Sequence, residues 1–144
     1  MSIESNKAAL RRLYEEAFNK GNLKVADELI SANWVYHGTE AMEFKGPEGF
    51  KQFVTMYRIA FPDLSITVQD LIAEGDKVVT IGTFHGTFKG PMMGIPPTGK
   101  YASSTVMAVS RFENGKEAEV LEVVDMLALF QKLGILPPMG PPKK

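Results

Sequence analysis

The sequence predicts an α+β domain: N-terminal helices packed on a curved, mainly antiparallel sheet that closes round an apolar pocket. Two observations predict it. Apolar residues recur every three to four positions as far as Pro62 and every second position after it. The strand-like segments follow one another with turns between them, so they pair as an antiparallel meander rather than as βαβ units. A chain of 144 residues makes one domain with a substantial core, read here as 1–137, and the Pro-rich tail 138–144 is expected to fray.

The elements follow in order. Residues 5–20 form the first helix, with Leu10, Leu13, Tyr14, Ala17 and Phe18 on one face and Gly21 placed to end it. Asn22 caps a shorter second helix whose apolar face is Val25, Ala26, Leu29 and Ile30. The stretch NWVYHG is extended. Gly46-Pro47 opens a third helix, Phe50, Phe53, Val54, Tyr57, Ala60 and Phe61 form its buried stripe, and Pro62 closes it. Then come the strands LSITVQDLIA and KVVTIGTFHGTF, the second carrying Gly82 and Gly86 where a bulge or bend is needed. After the long connection KGPMMGIPPTG comes the strand KYASSTVMAVSRF, an Asn-Gly hairpin turn at ENGK, the strand EAEVLEVVD and a closing helix MLALFQKLG.

Composition excludes several function classes. A net charge of −1 and a pI near 6.1 argue against nucleic acid or an anionic membrane as partner. The absence of cysteine removes disulfides, thiolate nucleophiles and thiolate metal sites. No signal-peptide-like or membrane-spanning run is present, so the expected location is cytoplasmic. The connection holds Gly94, Gly99 and Lys100 at the spacing of a phosphate-binding loop. Tyr101 stands where that loop needs Ser or Thr, Pro96 and Pro97 have no N–H to offer a phosphate, and the next residues are strand-like. It is a stiffened connection between strands.

The residue that stands out is Asp125. Leu121, Val123 and Asp125 share one face of the last strand, and if the first two enter the core the carboxyl follows them. A desolvated carboxyl is a candidate general base. The other reading is that Asp125 caps the closing helix. His37 and His85 are the two histidines, and no carboxylate stands at metal-ligand spacing from either. Methionine and phenylalanine side chains suit a flat apolar ligand as well as a core.

Three stretches carry a family resemblance: NKAALRRLYEEAFNKGNLKVADELISANWVYHG, GTFKGPMMGIPPTGK and ENGKEAEVLEVVDMLALFQKLG. Together they resemble the SnoaL-like polyketide cyclases, or ester cyclases, of the nuclear-transport-factor-2-like fold (a cystatin-like α+β barrel with a cone-shaped pocket). The resemblance implies a cofactor-independent cyclase or isomerase acting on a small apolar or aromatic carbonyl compound by general acid/base proton transfer. It puts that role on Asp125 and matches the family's early histidine with His37. It lines the substrate pocket with Tyr14, Asn33, Trp34, Phe53, Tyr57, Phe88, Met92, Met107 and Leu121, with Tyr36 a further polar group. The loop residues Met92, Met93 and Ile95 would cover the pocket mouth or pack on a partner subunit. The chain departs from the family pattern at Phe88, where a histidine is usual, at Leu121, where a tryptophan is usual, and at Ile81, where an arginine is frequent. Each makes the pocket less polar. The alternative is a non-catalytic module of the same fold that binds a hydrophobic ligand. A homodimer that buries the outer sheet face is expected, because such open sheets present edges and an apolar surface.

Overall fold

The computed structural model describes residues 2–38 and 43–137, and the Pro-rich tail lies outside them. Helix α1 (Ile3–Arg12) starts at Ser2, whose hydroxyl accepts from the Ser5 N–H while the Ser5 hydroxyl accepts from the Ser2 N–H. The helix continues without a break as a π-helical stretch, Leu13–Asn19, that turns Leu13, Tyr14, Ala17 and Phe18 into the interior. Gly21, at φ +73°, ends it. Asn22 does not cap the next helix. Its backbone N–H bonds back to the Glu16 carbonyl at 2.8 Å and its side-chain amide donates to Glu16 Oε1 at 3.5 Å, and α2 (Val25–Leu29) begins after Lys24 without a side-chain cap.

The extended stretch NWVYHG belongs to a strand, β1 (Ile30–His37), which takes in Ile30. Helix α3 (Gly46–Ala60) follows with Pro47 in its first turn, and then β2 (Ser65–Glu74), β3 (Lys77–Thr87), β4 (Tyr101–Glu113), β5 (Lys116–Val124) and helix α4 (Met126–Lys132). The sheet runs β1-β5-β4-β3-β2. The pairs β2–β3, β3–β4 and β4–β5 are antiparallel, as the meander requires. β1 is added in parallel against β5, with Val35, Tyr36 and His37 opposite Glu119, Val120 and Leu121. Four strands were legible as periodic runs; the fifth is too short and mixed to show a period. Asn114 and Gly115, both at positive φ, make the β4–β5 turn.

The helices cover one face of the sheet, and the residues beneath them alternate: Val78, Thr80 and Phe84 on β3, Ala102, Ser104, Val106, Ala108 and Ser110 on β4 are buried. Gly86 lies on the same face because the Phe61 ring occupies the place of a side chain; a Cβ there would meet it at 2.9 Å. Asn19 ties helix to sheet, its side-chain amide accepting from the Ile66 N–H at 2.7 Å and donating to the Ile66 carbonyl at 3.0 Å.

The long connection pinches shut on itself. Phe88 and Lys100, and Met92 and Ile95, pair across it, and Met93 and Gly94 turn at positive φ. It docks on two helix ends: the Lys89 and Gly90 N–H groups bond the Ala60 carbonyl, and the Thr98 hydroxyl donates to the Leu133 carbonyl at 2.6 Å. Met92 is buried as a core residue, Ile95 packs partly buried against the core, and Met93 faces outward.

Candidate functional site

The interior is filled by a continuous set of aromatic rings. Phe18 meets Phe50 and Phe53 edge-on at 5.7 and 6.1 Å, Trp34 meets Phe50 at 5.5 Å, and Phe53 meets Tyr36 and Tyr57 at 4.4 and 5.1 Å. Two narrow cavities of about 20 Å³ each remain between the rings. They share Phe18, Phe53 and Glu122. Tyr14, Trp34, Tyr36 and Glu117 line the first, Tyr57, Phe84 and Leu129 the second.

Glu122 therefore stands at the junction of the two cavities, 8 % exposed. Its position follows from strand phase. It is paired with Ala108 of β4, and the inward residues of β5 near it are Val120 and Val124, the even positions. Leu121 and Val123 point outward, 52 % and 54 % exposed. The expectation that the odd positions enter the core is thus reversed, and a one-residue change of phase moves every side chain to the other face.

Glu117 is an odd position, yet it is only 3 % exposed. The reason is a bulge: Arg111 pairs with Glu119 and Phe112 with Glu117, so Ala118 is an extra residue and the strand re-aims Glu117 inward. The Trp34 indole N–H donates to Glu117 Oε1 at 2.9 Å. Burial pushes this carboxyl up to about 7, and the Trp34 indole and the neighbouring Ser110 hydroxyl only partly oppose the shift.

Tyr14 comes from the π-helical stretch, 4 % exposed. Burial raises its phenol far above the ordinary value, the negative charges of Glu122 and Glu117 push the same way, and the Thr80 hydroxyl opposes them. Tyr14 is therefore a neutral hydrogen-bond donor beside two carboxyls. A π-helical segment is rare and is frequently found at functional sites; here it carries the phenol into the interior.

The sequence-predicted residues divide into three groups. Tyr14, Trp34, Phe53 and Tyr57 line the cavities, as does Tyr36. Phe88 and Met92 are fully buried deeper in the core, Phe88 stacked on Phe61 with centroids 5.6 Å apart. Asp125, His37, Asn33, Met107 and Leu121 lie at the surface. Asp125 is the N-cap of α4, its Oδ1 accepting from the Ala128 N–H at 3.1 Å. Asp125 is an odd position, in the outward phase of Leu121 and Val123, and the strand has already ended at Val124. His37 pairs with Glu119 on the outer side, Nε2 to Oε2 2.9 Å, and Arg111 reaches the same carboxylate at 3.3 Å; together they hold Glu119 below the usual carboxylate range. Asn33 is exposed, its backbone N–H bonded to Ser31 Oγ. Met107, 51 % exposed, sits between Ile81 and Val123 on the outer face.

Sequence reading missed Glu122 and Glu117. Val120 and Val124 on one face and Leu121 and Val123 on the other make the two phases of β5 equally apolar. The small residues at even positions of β4 were the available signal, because a face packed under helices favours them.

Comparison with known proteins bears on this geometry. The family model for the SnoaL-like polyketide cyclase matches residues 8–133. The aklanonic acid methyl ester cyclase DnrD of Streptomyces peucetius is 27% identical over 133 residues, covering 90% of this chain and 92% of that protein. The structure of TsrD from Streptomyces laurentii superposes with a TM-score of 0.84 at 29% identity, over 94% of this chain and 99% of that one. IdmH from Streptomyces antibioticus superposes with a TM-score of 0.76 at 32% identity, over 90% and 98%. With helices on a five-stranded sheet, an aromatic interior and a match spanning nearly all its length, the chain belongs to the SnoaL-like polyketide cyclase family, on the nuclear-transport-factor-2-like fold.

Proposed function

We propose that this chain is a cofactor-independent cyclase or isomerase of apolar carbonyl compounds, with Glu122 rather than Asp125 as the group that moves the proton. The observation that supports this is the place of Glu122: a carboxyl at the junction of two aromatic-lined cavities, beside the Tyr14 phenol. In the reaction, the Glu122 carboxylate takes a proton from the carbon next to a carbonyl. The electron pair of the C–H bond becomes the enolate, whose oxygen Tyr14 hydrogen-bonds. For cyclisation the enolate carbon closes on a second carbonyl of the same molecule, and the new alkoxide takes a proton, so no net proton is consumed. For isomerisation Glu122 returns the proton to a different carbon.

The cavities are far smaller than a ligand pocket, which typically holds roughly 300–1,000 Å³. A polycyclic substrate enters only if rings such as Phe18 and Phe53, which border both cavities, turn aside. This same fact favours a second reading, a module that binds a hydrophobic ligand without chemistry.

One experiment separates the two. Turnover is assayed on aklanonic acid methyl ester, the compound for which DnrD is named, and on simpler apolar β-keto esters. Glu122→Gln is expected to lower the rate by about 10²–10⁴ while ligand binding persists. Asp125→Ala is expected to keep the rate and lose about 1 kcal/mol of stability as a helix cap. A Glu122→Gln protein as fast as wild type would remove the acid/base assignment. Ligand binding without product in the wild type would favour the binding module.

We also propose a homodimer through the outer sheet face, where Ile72, Val79, Val109 and Leu121 form one row across the strands and Ile81, Met107 and Val123 the next.

A further inference from the structure

The mechanism above uses one of the two buried carboxyls. Glu117 lines the same cavity as Glu122 and Tyr14, and a strand bulge carries it there against the alternation of β5. A buried carboxyl is costly, and an apolar residue at this position would fill the space at less cost. The Trp34 indole can only donate, so Glu117 Oε1 is an acceptor. In the neutral acid the hydrogen then sits on Oε2.

We propose that Glu117 is the acid partner of Glu122: its Oε2–H donates to the substrate oxygen on which negative charge develops, while Glu122 takes the carbon-bound proton. The proposal rests on the reading of Glu122 as base and extends it to a pair of carboxyls with opposite tasks. The balance closes. The C–H bond breaks and its proton goes to Glu122; the Glu117 O–H bond breaks and its proton goes to the alkoxide or enolate oxygen. Glu122 ends neutral and Glu117 ionised, and one proton returning from Glu122 to Glu117 resets the site. Tyr14 lines the cavity with the two.

The surroundings of Glu117 support a carboxyl that stays neutral until about pH 7. Glu117 is hydrogen-bonded by Trp34 from β1 and lies beside Ser110 from β4, and Tyr14 from the π-helical stretch and Glu122 from its own strand line the same cavity. Phe50 of α3 lines the same cavity, and the buried residues of α2 are Val25, Ala26 and Leu29. No cation is among these groups. Two carboxyls of one cavity held in different surroundings are the arrangement by which acid and base roles are divided.

The test uses β-tetralone, an apolar ketone, and follows exchange of its α-hydrogens in heavy water by NMR. Wild-type exchange is expected to decline as pH rises through about 7. Glu117→Ala is expected to lower the rate by about 10²–10³, the loss seen when a donor to a developing oxyanion is removed. Glu117→Gln keeps an acceptor for Trp34 and an N–H donor, so it is expected to recover part of the rate and to lose the decline near neutrality. A second readout needs no substrate: the Trp34 indole N–H resonance should titrate with Glu117 and stand still in Glu117→Gln. If Glu122→Gln is inactive but Glu117→Gln matches wild type in rate and pH profile, the proposal is overturned and the base reading stands. An indole resonance that does not move across the neutral range also overturns it. If Glu122→Gln exchanges as fast as wild type, or the wild type does not exchange at all, the base reading falls and takes this proposal with it.

Discussion

Glu117 makes folding stability depend on pH in a direction opposite to that of most carboxylates. Its native pKa is raised to about 7, so between the ordinary glutamate value near 4.3 and about 7 the native chain holds a proton that the unfolded chain has released. Stability from this group is full below that window, falls as pH rises through it, and is gone above it. Glu117→Gln does not titrate and keeps the acceptor for Trp34. The variant is therefore expected to match the wild type near pH 4 and to exceed it by about 4 kcal/mol near pH 8, the worth of the shift at about 1.4 kcal/mol per unit. Urea unfolding at the two pH values checks this, and a constant difference between the proteins would refute it. At this scale the sequence was least informative. Tyr14, Phe53 and Tyr57 were readable as inward-facing because each sits on a helical stripe, whereas Trp34 was placed only through the family resemblance. Glu117 was not readable, because a bulge has no signature in a run such as KEAEVLE.

At the scale of elements, one side chain supplies the hydrogen bonds that join the first helix to the sheet edge. Asn19 bonds both backbone groups of Ile66 and so takes the place of a neighbouring strand for one residue of β2. Asn19→Ala leaves both groups unpaired in a half-buried place, at a cost of about 1–3 kcal/mol. It also frees the π-helical stretch that holds Tyr14, so a fall in activity with unchanged ligand affinity is expected in kinetic assays. Equal stability of the variant and the wild type in thermal unfolding would show that the joint carries no weight. The helices and the four antiparallel strands were legible because their apolar periods are long and their ends carry Gly, Pro or Asn-Gly. β5 was legible as a strand but not in phase. Its two faces are equally apolar because the outward one, Leu121 and Val123, is itself part of an apolar surface.

That surface belongs to the whole molecule. Two rows of apolar side chains cross the outer face of the sheet, and Met107 lies in one of them with half its surface exposed. A second copy of the chain would cover it. Sedimentation is expected to show a dimer at micromolar concentration, and Met107→Glu is expected to show a folded monomer, since the side chain stands on the outer face, half exposed and outside the core. A monomeric wild type would end the dimer proposal. The departures from the family pattern at Ile81 and Leu121 fall on this face and not in the cavity, so they alter the surface and leave the site as it is.

The parallel pairing of β1 with β5 sets the order in which the chain can be assembled. Trp34 and Glu117 are separated by 83 residues, and β1 pairs with β5 across that span. The hairpins β2–β3, β3–β4 and β4–β5 close shorter loops and have less chain entropy to lose. The first third of the chain is thus made early and placed late, and the sole tryptophan stands at the last seam to close. Its fluorescence should reach the native value in the slowest refolding phase, after the sheet's circular dichroism has settled. The Glu117 carboxyl is held by the Trp34 indole only when that seam closes, so the acid proposed for the site would be set in the final step of folding.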